Sequence, residues 1–253
     1  MDDGGVPIGL DNLARFVAAT VGGAGKVEQV SGGLAVASAV PVANGYVNAA
    51  FRTGPAGSDA DFLADVRRFF AQVGHPYVVW VPSGDDGLVE ASSSTGGTPD
   101  GEDSPMMVVR RPIGTSADLS VRTVASAEDR QVFGRLCEEG YEKPGLAWFL
   151  DHHRSYDAAG SVWAIVGDDA GDLGVACGFL HGTSGGIYYV ATPADRRGRG
   201  AAAAVTAWLV DHLLEDGADH VALQASAMGL PIYERLGFRT VATWRQFAFE
   251  APA

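Results

Sequence analysis

The residues best suited to chemistry form one short basic stretch in the second half of the chain. Positions 190–203 read VATPADRRGRGAAA, an apolar run followed by arginines and glycines and then by alanines. The alanines favour a helix, and the first backbone N–H groups of a helix lack partners within it and carry partial positive charge. Small residues let an anion approach those groups and arginines add charge, so the stretch suits a phosphate or pyrophosphate.

Other phosphate-binding motifs do not describe this stretch. The chain has no G-x-x-x-x-G-K-[ST] segment, and Ala203 stands where a G-x-G-x-x-G motif would have its third glycine. Taken alone, the stretch also fits a solvated basic loop at the start of a helix. The neighbouring sequence decides between these interpretations.

The apolar pattern around this stretch predicts an alternation of strands and helices. Strands are predicted at 119–124, 161–166, 175–181, 187–192, 220–225 and 239–249, and helices at 127–141, 146–158, 201–215 and 230–236. Ser126 is a predicted N-cap for the helix at 127–141, with Asp129 three residues further on. The order is therefore β-α-α-β-β-β-α-β-α-β, and the basic stretch joins a strand to a helix.

Two signatures in this order resemble those of a known family. The spacing Arg197-x-x-Gly200-x-Ala202 resembles the [RQ]-x-x-G-x-[GA] loop of the GNAT family, the acetyl-CoA-dependent N-acyltransferases. Beyond the next strand, Tyr233 precedes a Gly-Phe pair by four residues, as in the second signature of that family. The resemblance covers about residues 118–250 and includes the element order.

The resemblance implies where acetyl-CoA would bind. In the family, the strand before the loop parts from its neighbour and offers backbone groups to the pantetheine arm, while loop N–H groups hold the pyrophosphate. The implied cofactor-binding residues here are Val190, Ala191, Thr192, Arg197, Gly198, Arg199, Gly200, Ala201, Ala202 and Ala203. Ser226 joins them because many members carry an asparagine at that position. A backbone N–H near Val190 would stabilise the oxyanion.

Tyr233 is the catalytic residue that the resemblance implies, as the general acid for the leaving thiolate. It also fits a helix residue packed against the last strand. The general base stays unassigned, because many members carry a glutamate on the strand before the loop and positions 187–190 read IYYV here. The candidates are Glu138, Glu139, His152, His153 and His181, or a chain of water molecules. Each of these side chains also fits an ordinary surface role.

The composition limits the partners and the compartment. Of 253 residues, 31 are acidic and 18 basic, and the net charge of −13 disfavours nucleic acid and anionic membranes and leans weakly toward a cationic acceptor. Cys137 and Cys177 are too few for a disulfide framework or a four-cysteine zinc site, and the adjacent His152 and His153 diverge on a helix, so no metal is expected. With no run of about 18 apolar residues, a cytoplasmic protein without a membrane span is predicted.

The first half of the chain resembles a shortened copy of the second. Glycine and strand positions recur from 45 to 186, from 74 to 217 and from 78 to 221, offsets of 141, 143 and 143 residues. The copy lacks the phosphate loop: Thr53–Asp59 has no arginine and includes Pro55, and Glu90–Thr98 has no tyrosine. Two glycine- and acid-rich stretches, Ser92–Ser104 and Arg110–Asp118, interrupt the pattern, and the second is predicted to link the domains.

These observations lead to one prediction of fold and function. The fold is α/β (α+β in some schemes), a tandem GNAT-like acyl-CoA N-acyltransferase fold with a mixed central sheet and flanking helices. Residues 1–112 are predicted to form a degenerate domain and residues 113–253 the catalytic one. The predicted reaction is transfer of an acetyl group from acetyl-CoA to a primary amine; the alternative is a non-catalytic acyl-CoA-binding or regulatory module. The acceptor, a small molecule or a peptide, stays open, and an oligomer is compatible with the sequence.

Overall fold

The computed structural model describes residues 9–54, 57–114 and 118–252, which divide into two compact units. Unit 1 consists of Met1–Met106 together with Val241–Ala253, and unit 2 is Met107–Thr240. The predicted division into 1–112 and 113–253 differs from these units mainly at the end of the chain. The last strand joins unit 1 because it pairs with a strand of that unit. Of the predicted linker, residues 115–117 lie outside the described residues.

The chain passes through its elements in the following order. The first elements are α1 (Leu10–Val21), β1 (Lys26–Val30), β2 (Gly33–Ala37), β3 (Asn48–Phe51), α2 (Asp59–Val73), β4 (Tyr77–Pro82), α3 (Asp86–Ser94), β5 (Thr98–Pro99) and β6 (Ser104–Val109). Then come β7 (Ser120–Thr123), α4 (Ala127–Tyr141), α5 (Leu146–His152), β8 (Ser161–Asp168), β9 (Gly171–His181), β10 (Ser184–Ala191), α6 (Ala201–Glu215), β11 (His220–Gln224), α7 (Leu230–Arg235) and β12 (Arg239–Phe249).

Unit 1 is built on a mixed sheet in the order β1-β2-β3-β4-β12. The pair β3–β4 is parallel, and the other neighbours are antiparallel. Helix α2 starts at a capping box formed by Ser58 and Asp61. Its apolar face buries Phe62, Val66 and Phe69 against the sheet, because these residues recur on one side of the helix.

Unit 2 is built on a sheet in the order β11-β10-β9-β8-β7, in which β10–β11 is the parallel pair. Neighbouring residues of a strand point to opposite faces, so Ala164 belongs to the apolar cluster beneath α6 while the Trp163 ring contacts Phe133 of α4. The predicted mixed sheet with flanking helices is therefore confirmed. Ser126 and Asp129 form the predicted cap of α4.

Two helices differ from the prediction. Helix α3 is absent from the prediction, and it ends at Ser94, inside the glycine- and acid-rich stretch Ser92–Ser104. The helix forms because Asp85 caps its start by accepting the Leu88 N–H at 3.2 Å and because Leu88 is buried. The helix predicted at 146–158 stops at His152, and Arg154 takes a left-handed φ of 54° before a short 3₁₀ turn. Within the described ranges, no helix has the length and apolar character needed to cross a lipid bilayer.

Candidate functional site

The parallel strands β10 and β11 are paired only where they begin. Their ladder joins Ser184–Gly186 to His220–Ala222, and β10 then continues through Ile187–Ala191 beyond the last pair. The two strands therefore part at the end from which the basic loop leaves. Parted strand ends offer backbone groups to an extended ligand, and Val190–Thr192 occupy that position.

A β-bulge interrupts β10 at the same place. Opposite β9, the register advances from Tyr188 to Ala191 on β10 while it advances only from Cys177 to Val175 on β9. Within the bulge, Tyr189 has a φ of 53°, in the left-handed region. Bulges redirect backbone and side-chain groups and are frequent next to active sites. No sequence signal indicates this conformation, because aromatic residues rarely adopt it.

The basic loop ends at the start of α6, where backbone N–H groups are exposed. Gly198 and Gly200 have φ values of 80° and 82°, a conformation that glycine adopts without a steric cost. The first turn of α6, which the structure describes in full, has neither a side-chain cap nor an acidic residue. The first helical hydrogen bond runs from the Ala204 N–H to the Gly200 carbonyl at 3.0 Å, so the N–H groups before Ala204 are those suited to an anion.

The side chain of Arg197 connects three parts of unit 2. Its Nε donates to the Thr192 carbonyl at 3.1 Å, and its Nη2 donates to the Gly140 carbonyl of α4 at 3.4 Å. Gly140 is itself required, because a Cβ there would lie 2.9 Å from the Ala191 Cβ. Sequence reasoning missed Gly140, although an isolated glycine inside a helical pattern often marks such a close approach.

The other two arginines of the loop also have acceptors within unit 2. Arg196 Nη1 donates to the Asp172 carbonyl at 2.8 Å, and the Arg199 guanidinium forms an ion pair with the Asp168 carboxylate. These contacts hold the loop in place. The guanidinium groups thus hold the loop, and the backbone N–H groups before Ala204 are the groups suited to an anion.

Tyr233 lies in α7 with 7% of its surface exposed. Its ring meets that of Phe238 edge-on at 5.9 Å, and it belongs to the apolar cluster that includes Ala201 and Ala204 of α6. Burial raises the pKa of the phenol to about 12, so it is protonated at neutral pH and can donate a proton. Gly229 makes room for the ring, because a Cβ there would lie 2.8 Å from Tyr233 Cε2.

Ser226 prepares the start of α7. Its Oγ accepts a hydrogen bond from the Gly229 N–H at 3.1 Å. The side chain is exposed, and its hydroxyl proton can still be donated to a ligand. The predicted contact of Ser226 with coenzyme A stays a prediction.

The candidate bases lie in three different settings. Glu138 accepts the Ala147 N–H at 3.1 Å, and Glu139 pairs with Arg135 at 3.5 Å. Both glutamates border an open cavity of about 620 Å³ that residues 193–196 of the loop also line. The other candidates are histidines. His152 of α5 stacks on Trp148, and His181 at the end of β9 is exposed. His153, which follows α5, is fully buried, and this burial lowers its pKa.

The geometry favours Glu138 and Glu139 among these candidates, because both line the cavity that the loop also borders. His153 is engaged instead with the Phe149 carbonyl, 3.0 Å from its Nδ1. Among the residues that the structure describes, no group of three or more His, Cys, Asp or Glu side chains is placed to hold a metal ion.

Comparisons with known proteins bear on the fold. The chain matches no protein-family model, and no curated protein matches it either. A GCN5-related N-acetyltransferase from Kribbella flavida has a similar structure, with a TM-score of 0.69 and 18% identity over 93% of this chain and 95% of that one. The fold is GNAT.

Two further structures of similar fold agree with this result. A tandem GNAT protein from the clavulanic acid biosynthesis pathway has a TM-score of 0.64 and 12% identity over 88% of this chain and 80% of its own. A putative acetyltransferase of the GNAT family from Novosphingobium aromaticivorans has a TM-score of 0.57 and 15% identity over 94% and 98%. The predicted resemblance to GNAT acetyltransferases, including a tandem arrangement, is confirmed at the level of the fold.

Proposed function

We propose that this protein transfers an acetyl group from acetyl-CoA to a primary amine. The observation that carries the proposal is the parting of β10 from β11 beside the uncapped start of α6. An extended ligand that ends in a pyrophosphate would use both features at once. Acyl-CoA has this shape, and acyl transfer is the chemistry named for the structures of similar fold.

Each part of the site has a separate task. The N–H groups of Gly198–Ala203 bind the pyrophosphate, and the backbone of Val190–Thr192 binds the pantetheine arm. The Val190 N–H stabilises the negative charge that develops on the thioester oxygen. Ser226 adds a hydrogen bond from its hydroxyl.

The reaction needs two proton movements besides the exchange of bonds. A neutral amine attacks the carbonyl carbon, so that a C–N bond forms and the C–S bond breaks. Tyr233 donates its proton to the departing sulfur. The proton of the attacking amine leaves through Glu138, Glu139 or water, because the strand before the loop offers no carboxylate.

The acceptor that we propose is a cationic amine. The net charge of −13 favours such a partner, and acidic side chains outnumber basic ones in the lining of the cavity beside the loop. The acidic ones are Glu138, Glu139, Glu142 and Asp195, and the basic ones are Lys143 and Arg196. Polyamines, amino acids, amine-bearing antibiotics and peptide N-termini are the classes to compare.

The test combines thiol release from acetyl-CoA with a change at Tyr233. We expect turnover with at least one class of amine, and binding of one coenzyme A per chain by calorimetry. Tyr233→Phe should lower kcat by about 100-fold or more, because general acid catalysis contributes about that much, with little change in the KM for acetyl-CoA. Tyr77→Phe, at another buried tyrosine outside this site, is the matched control and should leave kcat unchanged.

A non-catalytic acyl-CoA-binding module is the second candidate. The run IYYV at 187–190, which lacks a carboxylate, is the observation that favours it. Binding of acetyl-CoA without turnover on any amine of the panel would support this candidate. Turnover that Tyr233→Phe does not change would leave the acetyl transfer in place and remove the role of Tyr233.

A further inference from the structure

Tyr189 occupies a backbone conformation that must be held by its surroundings. Its φ of 53° lies in the left-handed region, inside the bulge of β10. An aromatic residue leaves this region unless other contacts hold it there, and such residues cluster at functional sites. One such contact is made by the side chain of Trp163.

The ring of Trp163 stacks on the ring of Tyr189. The two centroids are 5.9 Å apart with 23° between the planes. Trp163 is fixed in turn, because its Nε1 donates to Ser161 Oγ at 2.8 Å and the rings of Phe133 and Tyr156 meet it edge-on at 5.0 and 4.8 Å. A change of φ at Tyr189 would move its ring away from this fixed partner.

The conformation of Tyr189 determines where the next peptide points. That peptide carries the N–H of Val190, the first residue of the segment beside the parted strands. In an extended strand successive peptides alternate in direction, and one left-handed residue changes the direction of the peptide that follows it. The left-handed conformation of Tyr189 therefore sets the direction of the Val190 N–H.

We propose, on the basis of the function proposed above, that Tyr189 is a positioning residue for acyl transfer. Its ring, stacked on Trp163, holds the left-handed backbone that directs the Val190 N–H toward the thioester oxygen. As the C–N bond forms and the C–S bond breaks, this N–H stabilises the charge on that oxygen. Tyr189 itself transfers no proton, so its hydroxyl is not needed.

Three variants separate the ring, the hydroxyl and the backbone. Tyr189→Phe keeps the ring and removes the hydroxyl. Tyr189→Gly removes the ring but adopts a positive φ without a steric cost. Tyr189→Val removes the ring and resists a positive φ, because its Cβ is branched. Tyr189→Ala replaces the valine variant if that protein does not fold.

The first measurement compares the affinity for acetyl-CoA with that for S-ethyl-CoA, a thioether without the carbonyl oxygen. We expect the wild type and Tyr189→Phe to prefer acetyl-CoA by about fivefold, which is what one hydrogen bond contributes. Tyr189→Val should lose this preference while it keeps its affinity for S-ethyl-CoA, and Tyr189→Gly should fall between. Equal affinity of the wild type for the two ligands, or a preference that persists in Tyr189→Val, overturns the proposal.

The second measurement is kinetic. Tyr189→Val should lower kcat by about 100-fold, as removal of an oxyanion donor does, with little change in either KM. A Tyr189→Phe variant as slow as Tyr189→Val would assign the hydroxyl a chemical role and overturn the positioning role. A wild type that releases no thiol with any amine contradicts the proposed function alone, because the affinity comparison still tests Tyr189.

Discussion

In unit 1 the segment β3–α2–β4, and in unit 2 the segment β10–α6–β11, have the same order and the same parallel pairing. They differ in where the pairing lies. In unit 1 the ladder joins Ala49–Phe51 to Val78–Trp80 and reaches the last residue of β3. In unit 2 it stops at Gly186, and β10 continues for five residues more. The parallel strands of unit 1 thus stay paired to the end of β3, whereas in unit 2 strand β10 extends beyond its pairing with β11.

A buried tryptophan, Trp80, lies where the pairing of β3 with β4 ends. The Trp80 ring stacks on Phe51 at 6.3 Å, and its Nε1 donates to the Gly45 carbonyl at 2.8 Å. Gly45 is required, because a Cβ there would lie 2.7 Å from Trp80 Nε1. Buried aromatic surface and a satisfied donor stabilise the pairing up to the end of β3.

The helix starts differ in the same sense. In α2, Asp59 pairs with Arg52, and Asp61 and Ser58 satisfy each other, so carboxylates of the chain already occupy the positive end of the helix. In α6, the corresponding turn begins with Gly200 and contains only alanines. A carboxylate at a helix N-terminus stabilises the helix and repels a phosphate. In the described first turns, the backbone N–H groups of α2 therefore face carboxylates of the chain, whereas those of α6 have no acidic side chain beside them.

The largest effect that we predict is at Gly200. Gly200→Glu places a negative charge at the start of α6 and forces a side chain onto a φ of 82°. We expect coenzyme A affinity to fall by at least about 100-fold, because two or more charge-assisted hydrogen bonds to the pyrophosphate would be lost. Calorimetric titration with coenzyme A measures the change.

The matched control for this variant is Gly182→Glu. Gly182 also has a positive φ, 59°, and open space around it, but it lies in the turn between β9 and β10. Coenzyme A affinity should stay at the wild-type value. Unchanged affinity in Gly200→Glu would show that the start of α6 is not the phosphate site.

A smaller effect on coenzyme A affinity, together with a gain in stability, is expected at Ala203. Ala203→Asp gives α6 a carboxylate at the position that Asp61 occupies in α2. The helix should become more stable, with Tm higher by about 2 °C, while coenzyme A affinity falls about tenfold. Ala203→Asn, of the same size without the charge, is the control and should change affinity much less. An Ala203→Asp variant that binds coenzyme A as tightly as the wild type would show that a carboxylate in the first turn of α6 does not affect binding.

Sequence reasoning identified what depends on local pattern and missed what depends on contacts between distant residues. The helix at 201–215 and its glycine loop follow from spacing and composition, and the structure has them at the predicted positions. Tyr189 was missed because its φ is held by Trp163, 26 positions earlier in the chain, and nothing local encodes that stack. The pairing of β12 with β4 could not be predicted, because a strand pattern does not indicate its partner strand.

The smallest effect compares one buried tyrosine from each unit. Burial raises the pKa of Tyr77 and of Tyr233 from 10.0 to about 12. A phenol whose pKa is raised by folding stabilises the folded state below pH 10, and this stabilisation is lost as the pH rises through 12. Between pH 10 and pH 12, Tm should therefore fall less in Tyr77→Phe and in Tyr233→Phe than in the wild type. Only Tyr233→Phe should also lower kcat near neutral pH, because packing stabilises both phenols but the proton of one is used in the reaction. Equal kcat in the two variants would mean that Tyr233, like Tyr77, serves packing alone.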